Sequence, residues 1–310
     1  MPEVLPSVHL IDLCFQGPRG AVAAYLLVGP DGQAALIETG PTTTRAALLD
    51  GVRAAGVEPA GIADVLVTHI HLDHAGGAGA LLRDDLPGAR VLVHPAGLPH
   101  LLDPGKLLRS AARLYGERME ELWGEVAPLP MERVAALEDG ARLRLAGHAL
   151  EVLFTPGHAT HHVAVRHLAS GAVFTGDVAG VRVPGADVIH PPTVPPEFDP
   201  AAWERSIDRL LSLDPPLLLL AHFGPYTDAY AHLEELRRRL REWTDVVRAG
   251  LAAGRTPEEM GAALRQRDAT RPGTSPEGVH RLDLVAGHGM SVAGIARYIS
   301  RQQAAISDQQ

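Results

Sequence analysis

The sequence carries a single cysteine, Cys14, so no internal disulfide can form and the stapled framework of a small secreted domain is excluded. Cys14 reads as part of an apolar N-terminal strand and as a small buried hydrophobe. Long apolar runs are missing too: the stretch Leu217 to Ala221 is far too short to cross a bilayer. Met1-Pro2-Glu3-Val4 shows no basic region followed by an apolar segment, so no signal peptide is expected. These absences together lead us to expect a soluble cytoplasmic protein without a membrane partner. Lysine is scarce beside abundant arginine, and 37 acidic against 28 basic residues leave a net charge of −9. A general nucleic-acid surface needs clustered cations, so no nucleic-acid partner is expected and a small-molecule substrate is. At 310 residues the chain can form one large domain or two modest ones around a sizeable core.

What the chain does have is histidine, concentrated in one place. His69 to His74 packs three imidazoles and a carboxylate into six residues, directly after Val65-Leu66-Val67 and before Ala75-Gly76-Gly77. An apolar run that ends abruptly in polar residues reads as a buried strand delivering its last side chains into a loop, and the glycines let the backbone turn into a helix. Histidines this close on a loop can converge on one point. Neutral imidazole is the commonest metal ligand, and a nitrogen and oxygen set without thiolate suits zinc, iron or manganese. The same plan of strand, tight turn and polar residue recurs. Leu153-Phe154-Thr155 leads into Pro156-Gly157-His158, Val173-Phe174-Thr175 into Gly176-Asp177, and Leu217 to Ala221 into His222.

The remaining pattern is of mixed strands and helices. Strands are expected over residues 8–13, 21–28 and 33–37, with a hairpin at Asp31-Gly32, and again over 89–94, 141–145, 149–154, 162–167 and 172–175. Helical spacing appears over 44–55, 79–86, 104–125, 201–213, 228–253, 257–267 and 292–301. Residues 178–200 are rich in Val, Pro and Gly without periodicity and read as a long active-site loop; residues 268–277 read as a polar loop.

His69-x-His71-x-Asp73-His74, followed in order by Pro156-Gly157-His158, Thr175-Gly176-Asp177 and Ala221-His222, resembles the metallo-β-lactamase superfamily over roughly the first 225 residues. The resemblance implies an α+β fold, a four-layer αββα sandwich with metals at one edge. It divides the chain into a catalytic domain over 1–225 and a helical extension over 226–310, which either pairs two copies as a homodimer or roofs the site. It further implies two divalent ions, Zn2+ first and Fe or Mn as alternatives. His69, His71 and His158 would hold one, Asp73, His74 and His222 the other, and Asp177 would bridge them. A metal-bridging hydroxide would be the nucleophile and Asp73 would orient it. Glu38 stands where the superfamily usually has aspartate; it either braces the metal loop or merely caps the turn after its strand.

The chemistry implied is hydrolysis of a small ester, lactone or thioester, similar to the second glyoxalase and the lactonases. The alternative is a mononuclear iron oxidoreductase resembling the persulfide dioxygenases. No cysteine occupies a later ligand position, so the thiolate-bearing zinc β-lactamases are a poor match. The tail also lacks an obvious cationic grip for glutathione outside Arg237 to Arg241. Tyr115, Arg182, His190 and Tyr226 are candidate substrate contacts. His161 and His162, just past a ligand candidate, read equally as hydrogen-bond donors behind the site or as surface groups.

Overall fold

The computed structural model of the protein describes residues 2–30 and 32–307. Four strands open it, β1 (Glu3–Leu5), β2 (Val8–Asp12), β3 (Ala23–Val28) and β4 (Ala34–Ile37), paired antiparallel in sequence order. The expected hairpin joins β3 to β4, although Asp31 of its Asp-Gly dipeptide lies outside the described residues. Helix α1 (Arg45–Ala54) then crosses over, and β5 (Ile62–Leu66) adds parallel to β4, as a connection of that length allows. Past α2 (Leu72–Ala75) and α3 (Ala78–Asp84) comes β6 (Arg90–Val93). Past α4 (Leu98–Leu102), α5 (Gly105–Tyr115) and α6 (Met119–Trp123) comes β7 (Val134–Ala136), and both strands extend the sheet in parallel. The single helix expected over 104–125 is broken between α5 and α6, because Gly116 takes φ +56°, outside the helical region.

The second sheet is an antiparallel meander of β8 (Arg142–Leu145), β9 (His148–Phe154), β10 (Val163–His167) and β11 (Val173–Gly176). After α7 (Pro200–Ser212), β12 (Leu218–Leu220) joins β11 in parallel and β13 (Gly224–Tyr226) closes the edge. Residues 177–199 hold one isolated bridge, Val181 to His190, and otherwise no regular element, as a stretch without periodicity should.

Period-two burial on both faces explains why the sheets pack as they do. Tyr25, Leu27, Ile37 and Leu66 of the first sheet meet Leu150, Val152, Val163, Val165 and Phe174 of the second between the sheets. The alternate residues Leu26, Leu36, Val65 and Val91 face outward onto α1 and α3, and Leu153, Val173, Leu218 and Leu220 face outward onto α7 and the helices that follow. The result is the four-layer αββα sandwich.

From Ala229 onward every described element is a helix: α8 (Ala229–Ala252), α9 (Pro257–Ala269), α10 (Pro276–Ala286) and α11 (His288–Ser307). Leu233, Leu236, Leu240, Trp243 and Val247 of α8 are buried in the outer layer of the second sheet, with Met260 and Leu264 of α9 and Val292 and Ile295 of α11. Of the arginines expected opposite that stripe, Arg238, Arg241 and Arg248 are exposed and Arg237 is half-buried, whereas Arg239 turns inward. Arg239 is 2% exposed and donates to both carboxylate oxygens of Asp268 at 2.7 Å. Helix α10 begins inside the expected loop at 268–277, where Ser275 accepts from the Gly278 N–H and Pro276 sits at the first turn. Ser-Pro reads as a loop in sequence, yet it is also how a helix starts. Cys14 sits half-buried just past β2 in a left-handed turn (φ +49°), so it does not lie within the strand. Among the described residues no helix is long and apolar enough to cross a membrane.

Candidate metal centre

Five strand ends supply the site. β4 ends at Glu38; β5 runs through Thr68 into His69 and His71; β9, β11 and β12 end near His158, Asp177 and His222. Two glycines let the chain turn there. Gly157 (φ +141°) lies so close to α7 that an added Cβ would sit 2.3 Å from Trp203 Cα, and Gly176 (φ +49°) would bring one to 2.5 Å from the Thr68 hydroxyl. Only glycine fits either place without displacing the strand ends.

The side chains delivered by these turns gather into two groups. In the first, His69 Nε2 lies 3.0 Å from His71 Nδ1 and 3.2 Å from His158 Nε2, and the last pair, His158 Nε2 and His71 Nδ1, is 2.9 Å apart. In the second, His74 Nε2 lies 3.2 Å from His222 Nε2, with Asp73 Oδ2 at 3.7 and 3.4 Å from the two. Asp177 spans the groups. Its Oδ1 is 3.2 Å from His74 Nε2 and 3.3 Å from His222 Nε2, while its Oδ2 is 3.4 Å from His158 Nε2.

The far side of each ring decides what the near side presents. His158 Nδ1 donates to the Pro192 carbonyl at 2.7 Å, and His222 Nδ1 to the Ala21 carbonyl at 2.9 Å. Glu38, 2% exposed, accepts from His74 Nδ1 at 3.1 Å, from the Thr68 N–H at 3.2 Å and from the Thr68 hydroxyl. Since that hydroxyl gives its proton to Glu38, it accepts from His69 Nδ1, 3.0 Å away. Four imidazoles thereby keep a proton on Nδ1 and aim Nε2 inward, the atom whose lone pair a cation would take. Lone pairs about 3 Å apart repel unless something positive lies between them. Four nitrogens about 2.0–2.1 Å from a zinc ion stand roughly 3.3 Å from one another, close to the spacings here. The donor set therefore fits divalent cations. Asp177 Oδ1 points the same way: it is buried and has no aligned hydrogen-bond donor although two imidazole nitrogens lie within 3.3 Å.

Electrostatics separate the two groups. Burial, together with neighbouring imidazoles, holds His69 and His71 well below the ordinary histidine range, and burial lowers His158. Burial would lower His74 and His222 as well, but the Asp177 and Asp73 carboxylates outweigh it, raising His74 well above that range and His222 to about 9. Burial in turn would raise Asp73, but His74 and His222 hold it at about 2. The second group thus sits where positive charge, as proton or as cation, is favoured.

Tyr115 lines the cleft in front of the centre, and Glu38 braces His74 and, through Thr68, His69. Arg182, His190 and Tyr226 do not line that cleft. Arg182 pairs with Asp228 at 2.9 Å and lies 4.2 Å over the Tyr226 ring, whose hydroxyl donates to the Arg182 carbonyl. His190 is fully buried between Trp243 and His288, with Nε2 3.1 Å from the Ser291 hydroxyl. Arg182 and His190 lie on the long loop and Tyr226 on β13, and the tertiary path turns all three side chains away from the cleft, which local sequence cannot foretell. His162 accepts from the Asp177 N–H at 3.0 Å and donates to the Thr155 hydroxyl at 2.8 Å, which orients the spanning carboxylate. His161 lines the cleft, its Nε2 3.6 Å from Glu197. Thr68 and the Pro192 and Ala21 carbonyls escaped the sequence reading. Thr68 adjoined the motif and could have been found, but a carbonyl acceptor leaves no mark in sequence. The cleft itself has a volume of about 190 Å³ and also takes in Lys106, Leu107, Trp123, Pro192 and residues 194–196.

The family model described as the Metallo-beta-lactamase superfamily matches residues 17–222. A metallo-beta-lactamase fold-containing protein of Sulfurisphaera tokodaii is 32% identical over 163 residues, 52% of this chain and 60% of that protein. A hydroxyacylglutathione hydrolase of Aeromonas hydrophila is 30% identical over 159 residues, 51% of this chain and 46% of that protein. These matches therefore span about half of the chain and less than two thirds of either relative. In three dimensions, a metallo-beta-lactamase family protein from Thermus thermophilus aligns with a TM-score of 0.73 and 25% identity over 97% of this chain and 96% of its own.

Proposed function

Because the chain belongs to the metallo-β-lactamase superfamily, we propose that it is a metal-dependent hydrolase of small esters, lactones or thioesters that works with two divalent ions, zinc first among them. His69, His71 and His158 would hold one ion, Asp73, His74 and His222 the other, and Asp177 both. The observation that carries the reading is that Asp177 turns one oxygen to each group, at 3.2–3.3 Å and 3.4 Å from their imidazole nitrogens. When bound, the ions supply Lewis acidity and lower the pKa of water toward neutrality.

The protein's own groups do the rest. The carbonyls behind His158 and His222, Glu38 behind His74 and the Thr68 hydroxyl behind His69 take the Nδ1 protons and fix each ring so that Nε2 is the atom that would face an ion. Asp73, 14% exposed at the floor of the cleft, is placed to accept the proton of attacking water and pass it to the departing alkoxide or thiolate. Water adds to the acyl carbon, the bond to oxygen or sulfur breaks, and an acid and an alcohol or thiol leave. The names of two relatives, a hydroxyacylglutathione hydrolase and an atrochrysone carboxyl ACP thioesterase, support this class.

Metal analysis of the purified protein is expected to give about two ions per chain, with hydrolysis of activated esters lost on chelation and restored on adding zinc. Full activity after exhaustive chelation would refute the reading, as would one iron per chain with oxygen consumption.

A further inference from the structure

The cleft is walled quite differently from the centre at its floor. Beyond the metal-facing residues the lining comes mainly from Leu107, Ala111 and Leu114 of α5, Trp123 of α6, the Val-Pro-Pro stretch at 194–196, and Val285 near the end of α10. The insertion between β6 and β7, the long loop and the tail each contribute, and none of these side chains is a candidate ligand. All are apolar.

Fixed charge in that wall is sparse. Glu197 is already engaged, accepting from the Thr160 N–H at 2.9 Å and the Thr160 hydroxyl at 2.7 Å. Lys106, at an exposed position and the single lysine of the chain, is the one permanent cation of the lining. A glutathionyl group carries two carboxylates and an ammonium at neutral pH. One lysine set in an apolar wall is poorly matched to it, because each unpaired charge would lose its water without gaining a partner. A hydrocarbon chain loses nothing there and gains the burial of every methylene.

We infer that the cleft is an acyl site, so that the substrate is an ester or thioester whose acyl half is an unbranched aliphatic chain. The inference rests on the hydrolase reading above and adds the substrate class. The acyl carbon lies at the metal-facing floor, the chain runs along α5 toward Val285, and the polar half leaves past the rim.

The test is a series of acetyl, butyryl, hexanoyl and octanoyl esters of one phenol, assayed on the zinc-loaded protein. At the usual transfer free energy of a buried methylene, kcat/KM should climb by about fourfold per methylene until the cleft is full. Leu114→Glu, at a position 39% exposed and therefore safe for folding, puts a carboxylate into the wall. It should cut the ratio of octanoyl to acetyl kcat/KM by at least about tenfold with little change in melting temperature. Calorimetry supplies a readout independent of turnover: octanol should bind the wild-type protein with a negative heat-capacity change, and bind Leu114→Glu more weakly. A flat or falling series with metal-dependent acetyl hydrolysis intact would overturn the acyl site and leave the hydrolase standing. A gain with the alkyl length of acetate esters in its place would overturn the assignment of the acyl half. No ester hydrolysis by the loaded protein would overturn both.

Discussion

Replacing Glu38 by glutamine tests the idea that a buried carboxylate behind the rings sets the grip on metal. Glu38 accepts three hydrogen bonds, two from Thr68 and one from His74 Nδ1, and has no solvent to turn to. Glutamine keeps the shape but turns one accepting atom into a donor, so at least one of the three must break. A hydrogen bond to a buried charge contributes about 1.5–3 kcal/mol, equivalent to about 10- to 100-fold in an affinity. Loss of a partner behind a ligating histidine typically costs metal affinity the same range. The larger loss should fall on the ion beside His74, which touches Glu38 directly. The ion beside His69 should lose less, because its contact runs through the Thr68 hydroxyl. Competition titration of zinc against a chromophoric chelator resolves two such steps. Two affinities unchanged within about twofold would refute the bracing role and leave Glu38 as a turn-capping residue.

Two further outcomes follow from the tail. Burial would raise the Asp268 carboxyl, but His288 and Arg239 outweigh it and hold it at about 2. A carboxyl whose pKa is lower folded than unfolded adds stability that is complete above about pH 4 and disappears as pH falls through about 2. Asp268→Asn should therefore cost about 3 kcal/mol at pH 7 by stranding Arg239, a gap that narrows between about pH 4 and 2 in paired urea titrations. A gap independent of pH would contradict the buried pair. Removing everything after Asp228 takes away Leu233, Leu236, Leu240, Trp243 and Val247 and uncovers the core they cover, Leu153, Trp203, Ile207, Leu210 and Leu220 among it. At about 1.5–3 kcal/mol for each buried side chain, the loss of about 10 kcal/mol matches the whole stability of a typical domain, so the truncated chain should be insoluble or unfolded by circular dichroism. A soluble fragment with the native melting temperature would show that residues 1–228 fold alone.

Much could be read from residue order alone, because the relevant signals are local. Strand alternation, Asp31-Gly32 and the apolar runs before His69, His158, Asp177 and His222 are short-range patterns that mark the strands and the turns after them; the αββα sandwich and the set of seven side chains came through the family resemblance those motifs carry, and the seven do gather at one edge. Other features depended on chain segments far apart meeting in space. Pro192 and Ala21 turn the rings of His158 and His222 from 34 and 201 residues away, by carbonyls that every residue possesses. Arg182, His190 and Tyr226 looked suitable for substrate by type, but the long loop and β13 engage them with Asp228, Ser291 and each other. Lys106 and Val285, separated by most of the chain, face one cleft because α5 and α10 both border it. Periodicity records which face of an element is apolar. It carries no information about which other element covers that face, and here that second fact shapes the pocket.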